Sequence, residues 1–182
     1  THGVIMPNID LLNVRLENIV LPKEYDNLWK DINFPIQVKK AAHHNLPEEQ
    51  KGKILDKLSK RAYFLTAIAE TVGAKNILEV GTAEGWQFYS FAEYCSKVGG
   101  KVWSCDVDDR HDKKYYEKYK DVATFVHGDS KKLAEYLNSQ GIKIDLFYID
   151  GSHEQNAVLT DIANLKSVQS EEFTPVWIFD DY

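Results

Sequence analysis

Two short segments carry residue types that could do chemistry together: Asp150-Gly151-Ser152-His153 and Asp180-Asp181. Three carboxylates without sulfur or clustered imidazole suit a hard divalent cation, Mg²⁺ first, with water completing the shell. The plainer reading is a turn at Asp150-Gly151, a helix start at His153 and a solvated loop at Asp180-Asp181. The choice depends on whether the fold sets the two segments side by side.

The elements that would do so alternate from residue 76 onward. Short apolar runs at 76–80, 101–105, 122–127, 144–149 and 176–179 read as strands. Between them, 85–97, 112–119, Ser130 to about 140, and 154–168 read as helices, the last with Val158, Ile162 and Leu165 inward. The alternation predicts an α/β fold, a doubly wound, Rossmann-like parallel sheet with helices on both faces. In such a sheet ligands bind at the carboxyl ends of the strands. Glu79, Asp106, Asp129, Asp150, Asp180 and Asp181 all fall there, and the neighbouring fourth and fifth strands would let their carboxylates converge. Upstream, Pro47-Glu48-Glu49 opens a long helix with an apolar stripe of Ile54, Leu58, Leu65, Ile68 and Val72, stopped at Gly73. The domain is expected over 47–182. Residues 1–46 form an N-terminal extension broken by Pro22 and Pro35, in which Leu12, Val14 and Leu16 alternate with polar residues as in a half-buried strand.

The first strand runs into a glycine turn, Ile77-Leu78-Glu79-Val80-Gly81-Thr82-Ala83-Glu84-Gly85-Trp86. A dinucleotide fingerprint needs Gly-x-Gly-x-x-Gly, its last glycine allowing close helix–strand packing. Counted from Gly81, Ala83 and Trp86 occupy the second and third glycine positions, a poor fit. A pyrophosphate also wants a helix N-terminus free of competing anions, and here Glu79 and Glu84 flank the turn. S-adenosylmethionine has no phosphate and carries a sulfonium and an ammonium, so acidic surroundings suit it.

Glu79-Val80-Gly81-Thr82-Ala83-Glu84-Gly85 resembles the first motif of the class I S-adenosylmethionine-dependent methyltransferases. The resemblance implies that Gly81 and its neighbours Thr82, Ala83 and Gly85 line the methionine part of the cofactor. It implies that Asp106, after the second strand, grips the ribose hydroxyls, and that Gly128-Asp129-Ser130 borders the adenine. Asp150-Gly151-Ser152-His153 with Asp180-Asp181 resembles the metal-dependent O-methyltransferases, the macrolide-sugar type more closely than the catechol type. That resemblance implies Asp150, Asp180 and Asp181 as metal ligands and His153 as general base. Relatives more often carry Glu-Asp or Asp-Asn after the fifth strand, so Asp180-Asp181 leaves the coordination detail open.

The implied chemistry is O-methylation. A metal ion lowers the pKa of a substrate hydroxyl and fixes its position. A histidine with an ordinary pKa near ~6.5 takes the proton, and the oxygen attacks the methyl in line from roughly 3 Å. The expected acceptor is a small hydroxylated molecule, a sugar or a polyphenol. A cofactor-binding domain without turnover is the alternative; a nicotinamide-dependent oxidoreductase is disfavoured by Trp86.

A formal charge of −6 and a pI near 5.5 argue against a nucleic-acid or anionic-membrane surface. With neither a membrane-length apolar run nor a signal-peptide layout at the N-terminus, the chain reads as cytoplasmic. Cys95 and Cys105 lack metal spacing and read as reduced, buried thiols. The adjacent pair His43-His44 reads as solvated, and His2, His111 and His127 have no flanking carboxylate cluster at useful spacing. The methyltransferase core normally continues past its fifth strand, so the domain is expected to be C-terminally incomplete. Val176-Trp177-Ile178-Phe179 would then be an apolar edge through which the chain forms a homo-oligomer.

Overall fold

The structure, a computed structural model, describes residues 47–180. The expectations for Leu12, Val14 and Leu16, His2, the His43-His44 pair and Asp181 lie outside these residues, as does that for the side chain of Ile54. The chain divides after Gly73 into two compact units, so the helix opened by Pro47 groups with the N-terminal unit.

That helix, α1 (Glu48–Thr71), has Pro47 at its N-cap; Gly73 N–H returns to the Glu70 carbonyl at its end. Its most buried described residues are Ala62, Leu65, Thr66 and Ala69, while Leu58, Ile68 and Val72 are half-buried. The buried face therefore follows the small residues, which a stripe drawn through large aliphatics overlooks. Thr66 satisfies its hydroxyl by donating to the Ala62 carbonyl at 2.8 Å.

The second unit is built from β1 (Asn76–Val80), α2 (Trp86–Val98), β2 (Lys101–Asp106), α3 (Lys113–Tyr119), β3 (Ala123–His127), α4 (Ser130–Ser139), β4 (Leu146–Ile149), α5 (Gln155–Leu165) and β5 (Val176–Phe179). The five strands pair in the order β3-β2-β1-β4-β5, all parallel. The expected doubly wound sheet is present. Two spans are shorter than their patterns suggest. Ile144 leaves β4 and makes an isolated bridge to Gln169, and the end of the last helix tightens into a 3₁₀ turn at Lys166–Val168.

Strand alternation sorts the side chains between two layers. Leu78, Val80, Trp103, Cys105, Phe147 and Ile149 face Leu133, Ala134 and Leu137 of α4 and Leu165 of α5. On the other face lies α2, where Phe91 meets the Tyr148 ring edge-on at 6.1 Å between centroids. At the β5 edge, Trp177 stacks on Phe147 with centroids 4.0 Å apart and planes 4° from parallel. Acids cap the polar helix starts. The Asp112 carboxylate accepts from Lys114 N and Tyr115 N at α3, and Asp129 accepts from Lys132 N at α4.

Candidate functional site

The order β3-β2-β1-β4-β5 reverses direction between β1 and β4, and the glycine turn sits at that switch point. Gly81 N–H donates to the Cys105 carbonyl at 2.9 Å, and Asp150 N–H donates to the Val80 carbonyl at 2.8 Å. Gly81 has φ +96°, and a Cβ there would lie 2.1 Å from the Asp150 carbonyl oxygen. Only glycine lets the two strand ends come this close. Gly85, at φ +95°, closes the turn by donating to the Thr82 carbonyl, and a Cβ on it would strike the Tyr89 ring at 2.3 Å.

Glu79 is buried at 1 % exposure and accepts from Ser104 Oγ at 2.6 Å, while the Thr82 and Ser104 hydroxyls lie 2.5 Å apart. Because Ser104 spends its proton on the carboxylate, Thr82 donates to Ser104, giving a directed relay Thr82→Ser104→Glu79. The expected acid beside the turn is thus a buried anchor tied to β2. Glu84 is also engaged, with Arg110 Nη1 4.0 Å from its carboxylate.

Asp106 ends β2. Its Oδ2 accepts from Ala83 N at 2.7 Å, and its Oδ1 accepts from Asp108 N at 3.0 Å. The first bond holds Ala83 at φ +47°, which a non-glycine residue rarely adopts. A carboxylate has about four lone-pair sites, so these two bonds leave acceptor capacity for further donors. Glu79, Gly81, Thr82, Ala83, Gly85 and Asp106 are therefore gathered around the glycine turn at the carboxyl ends of β1 and β2.

Asp129 and Ser130 follow β3, where Gly128 N–H donates to the Asp106 carbonyl. Asp129 is exposed, whereas Ser130 is 1 % exposed and accepts from Asn164 Nδ2 of α5 at 3.0 Å. Its hydroxyl also bonds the Asp161 carboxyl, which burial pushes above the usual range and the Ser130 bond partly restores. The Ser130 side chain is committed to packing α4 against α5. Neither Asp161 nor Asn164 stands out in sequence, because both look like polar helix surface.

Ile149 pairs in register with Phe179, so Asp150 and Asp180 follow neighbouring residues, and Asp180 N–H donates to the Ile149 carbonyl at 3.0 Å. Asp150 Oδ2 accepts from the Tyr148 hydroxyl at 3.1 Å. His153 is exposed in the turn before α5. Among the described residues no group of three His, Cys, Asp or Glu side chains could hold a metal ion. The expected ligand set reaches two carboxylates at neighbouring strand ends, with Asp181 outside the described residues.

His111 and both cysteines behave as packed core. His111 is 4 % exposed; the Tyr89 hydroxyl donates to the Asp112 carbonyl and accepts from His111 Nδ1 at 2.7 Å. Its Nε2 accepts from Lys113 Nζ at 2.9 Å, and burial with the Lys113 charge holds its pKa below the ordinary range. Cys95 and Cys105 are free and buried; burial pushes the Cys95 thiol up to about 12 and the Cys105 thiol well above its usual value.

A further polar residue escaped the pattern reading. Gln87 is 3 % exposed in the first turn of α2, and neither polar atom of its amide has a hydrogen-bond partner; Trp86 Nε1 lacks one as well. The signal available in sequence was a single amide inside Trp86-Gln87-Phe88-Tyr89, an otherwise aromatic stretch.

A parallel sheet of this order, with a glycine turn at its switch point and carboxylates at the ends of β2 and β4, defines a Rossmann-like cofactor-binding domain. Residues 78–182 match a family model described as a methyltransferase domain, and the chain belongs to that family. Among solved structures it is similar to an O-methyltransferase from Bacillus cereus in complex with SAH (20 % identity, TM-score 0.58, 85 % of this chain and 66 % of that one). It is also similar to the SAH-bound methyltransferase PaMTH1 of Podospora anserina (13 % identity, TM-score 0.56, 89 % of this chain and 72 % of that one). A third similar structure is a caffeoyl-CoA O-methyltransferase candidate from Staphylococcus aureus (17 % identity, TM-score 0.55, 81 % and 72 %). No curated protein matches the chain. The resemblance drawn from Glu79–Gly85 thus holds at the level of family and fold. No helix among the described residues is long and apolar enough to cross a membrane.

Proposed function

We propose that this domain binds S-adenosylmethionine in the crevice between β1 and β4 and transfers its methyl group to a hydroxyl of a small acceptor. The observation that carries this reading is the Asp106 carboxylate, bonded to Ala83 N–H of the glycine turn with lone pairs to spare for two ribose hydroxyls. Gly81, Thr82, Ala83 and Gly85 then border the methionine and sulfonium, and Gly128, Asp129 and the Ser130 backbone border the adenine. Glu79 places a buried carboxylate behind the turn, which favours a cationic ligand over a pyrophosphate. Trp86, buried at the start of α2, occupies the place of the third glycine and speaks against a dinucleotide.

Asp150 and His153 flank the place where the acceptor would lie. In this reading His153 takes the hydroxyl proton from its exposed position at the mouth of the crevice. The sulfonium loses its charge as the methyl leaves, so the site has no large anion to stabilise. Asp150, Asp180 and Asp181 would hold a divalent ion such as Mg²⁺. When bound, that ion supplies Lewis acidity to the acceptor hydroxyl. The acceptor class, a sugar or a polyphenol, is carried by the resemblance alone.

Calorimetry with S-adenosylhomocysteine and with NAD tests the cofactor; binding of NAD alone would overturn the reading. A methyl-transfer assay on Asp150→Ala and His153→Ala tests turnover. Cofactor binding with no transfer to any hydroxylated acceptor would favour the second reading, a binding domain without turnover. We also propose a cytoplasmic location, in keeping with two free buried thiols, and self-association through β5, the last strand of the sheet. A strictly monomeric species by light scattering at high concentration sinks the self-association.

A further inference from the structure

The stretch from Asp106, the last residue of β2, to Asp112, the cap of α3, holds three consecutive residues of the glycine turn. At its start Asp106 accepts from Ala83 N at 2.7 Å, and at its end Asp112 N donates to the Glu84 carbonyl at 3.1 Å. Gly85 is held through Tyr89: a Cβ on Gly85 would sit 2.3 Å from the Tyr89 ring. The Tyr89 hydroxyl is fixed in turn by the Asp112 carbonyl at 2.6 Å and by His111 Nδ1 at 2.7 Å. His111, at 4 % exposure, is thus a buried anchor shared by the stretch and by Tyr89.

Packing alone does not call for an imidazole here. The ring is enclosed by Phe88, Tyr116 and Phe125, with centroids 6.3, 5.1 and 4.3 Å away. Phenylalanine would fill that shell as well, and Tyr89 would keep its bond to the Asp112 carbonyl. What the imidazole adds is a donor to Tyr89 and an atom that can bind a proton. With Nδ1 donating, Nε2 is the acceptor, and Lys113 Nζ donates to it at 2.9 Å. The charged and titratable groups facing the ring are Tyr89 of α2, Lys113 and Tyr116 of α3, Asp109 and Asp112 of its own stretch, and His127 of β3, stacked behind Phe125. Burial and the Lys113 charge favour the neutral ring against the opposing pull of the two aspartates.

A proton on Nε2 finds no uncommitted acceptor among these groups. The Asp112 carboxylate is spent on Lys114 N and Tyr115 N at the start of α3. Asp109 Oδ1 lies 3.3 Å from Nε2 but already pairs with Lys113. The charged ring therefore faces the Lys113 ammonium or competes with it for Asp109, and the second course draws it off Tyr89.

We propose that His111 is a positioning residue for cofactor binding: its neutral imidazole fixes Tyr89 and the 106–112 stretch against Ala83, Glu84 and Gly85, and its protonation lowers affinity for the cofactor. The proposal rests on the S-adenosylmethionine reading and adds a dependence on pH, through a residue buried outside the turn.

The test is calorimetry with S-adenosylhomocysteine on the full chain from pH 8 to 5, wherever circular dichroism shows it folded. Affinity should be level near pH 8 and fall roughly three- to tenfold as His111 takes up its proton. Two exposed neighbours set where that fall begins. Lys113→Met should move its onset to higher pH, and Asp109→Asn to lower pH. His111→Asn, which keeps an N–H for Tyr89 and cannot titrate, should give a level profile. A level profile in the wild type, a fall that survives His111→Asn or disappears in His127→Gln, or an onset that neither neighbour moves would each overturn the proposal. If His111→Asn does not fold, the two neighbour variants decide it. A wild type that binds S-adenosylhomocysteine at no pH would instead remove the cofactor reading, and the proposal with it.

Discussion

Gly81 and Asp150 meet backbone to backbone: a Cβ on Gly81 would stand 2.1 Å from the Asp150 carbonyl oxygen and 2.6 Å from its carbonyl carbon. The glycine turn and the carboxylate of the fourth strand are therefore one structural unit. Gly81→Ala adds both this overlap and a left-handed backbone penalty at φ +96°. It should cost about 3 kcal/mol of stability in denaturant unfolding and abolish S-adenosylhomocysteine binding in the fraction that folds.

Asp106 has two jobs that a substitution can separate. It ties Ala83 N and Asp108 N, and in the proposed function its remaining lone pairs receive the ribose hydroxyls. Asp106→Ala removes all of these and should lower both stability, by about 1–3 kcal/mol, and cofactor affinity. Asp106→Asn keeps one acceptor and should retain more of the stability than of the affinity. Calorimetry and unfolding on the two variants would show the split; parallel losses would reduce Asp106 to a turn anchor.

Stability should fall on mild acidification through His111. Its folded pKa lies below the unfolded value near ~6.5, so between the two the unfolded chain binds the extra proton. Falling pH through that window favours unfolding. Protonation would also turn Nε2 from an acceptor into a donor facing Lys113 Nζ, whose charge already lowers this pKa, with Asp109 and Asp112 opposing the shift. Asp161 runs the other way, its raised pKa contributing stability at low pH that is lost as pH rises through the folded value. Urea midpoints from pH 5 to 8 should therefore drop on the acid side, and His111→Phe should flatten that arm.

Metal removal should separate the proposed cofactor half of the site from the proposed acceptor half. The proposed cofactor contacts Gly81 and Ala83 lie in the turn after β1 and Asp106 ends β2, whereas Asp150 and Asp180 directly follow β4 and β5. Chelation should abolish methyl transfer and leave S-adenosylhomocysteine affinity unchanged, with Mg²⁺ restoring the rate. Undiminished transfer in chelator would remove the metal from the reaction.

Much of this arrangement was legible in the sequence because strand periodicity and glycine turns act locally. The five strands and the approach of Asp150 to Asp180 follow from alternation and chirality rules that need no partner identity. What stayed hidden depended on tertiary neighbours. Glu79 read as an acid flanking the turn, with no sign in the sequence that Ser104 of the adjacent strand donates to it. Ser130 read as a site residue, but Asn164 and Asp161, far along the chain, claim its hydroxyl. The buried face of α1 followed Ala62 and Ala69 because close packing favours small side chains, which hydrophobicity underrates. Gln87 carries no pattern at all; only its lack of partners sets it apart.

The strand order also sets a timetable. β1 can pair with β2 as soon as α2 has formed between them, but its other neighbour, β4, arrives only after two more helices and β3. Long loops must close before that second pairing contributes. During synthesis the glycine turn would thus be extruded early yet remain one-sided until Asp150 docks against Gly81. Competence to hold a ligand is then among the last properties to appear, so ligand affinity reports completed folding of the sheet.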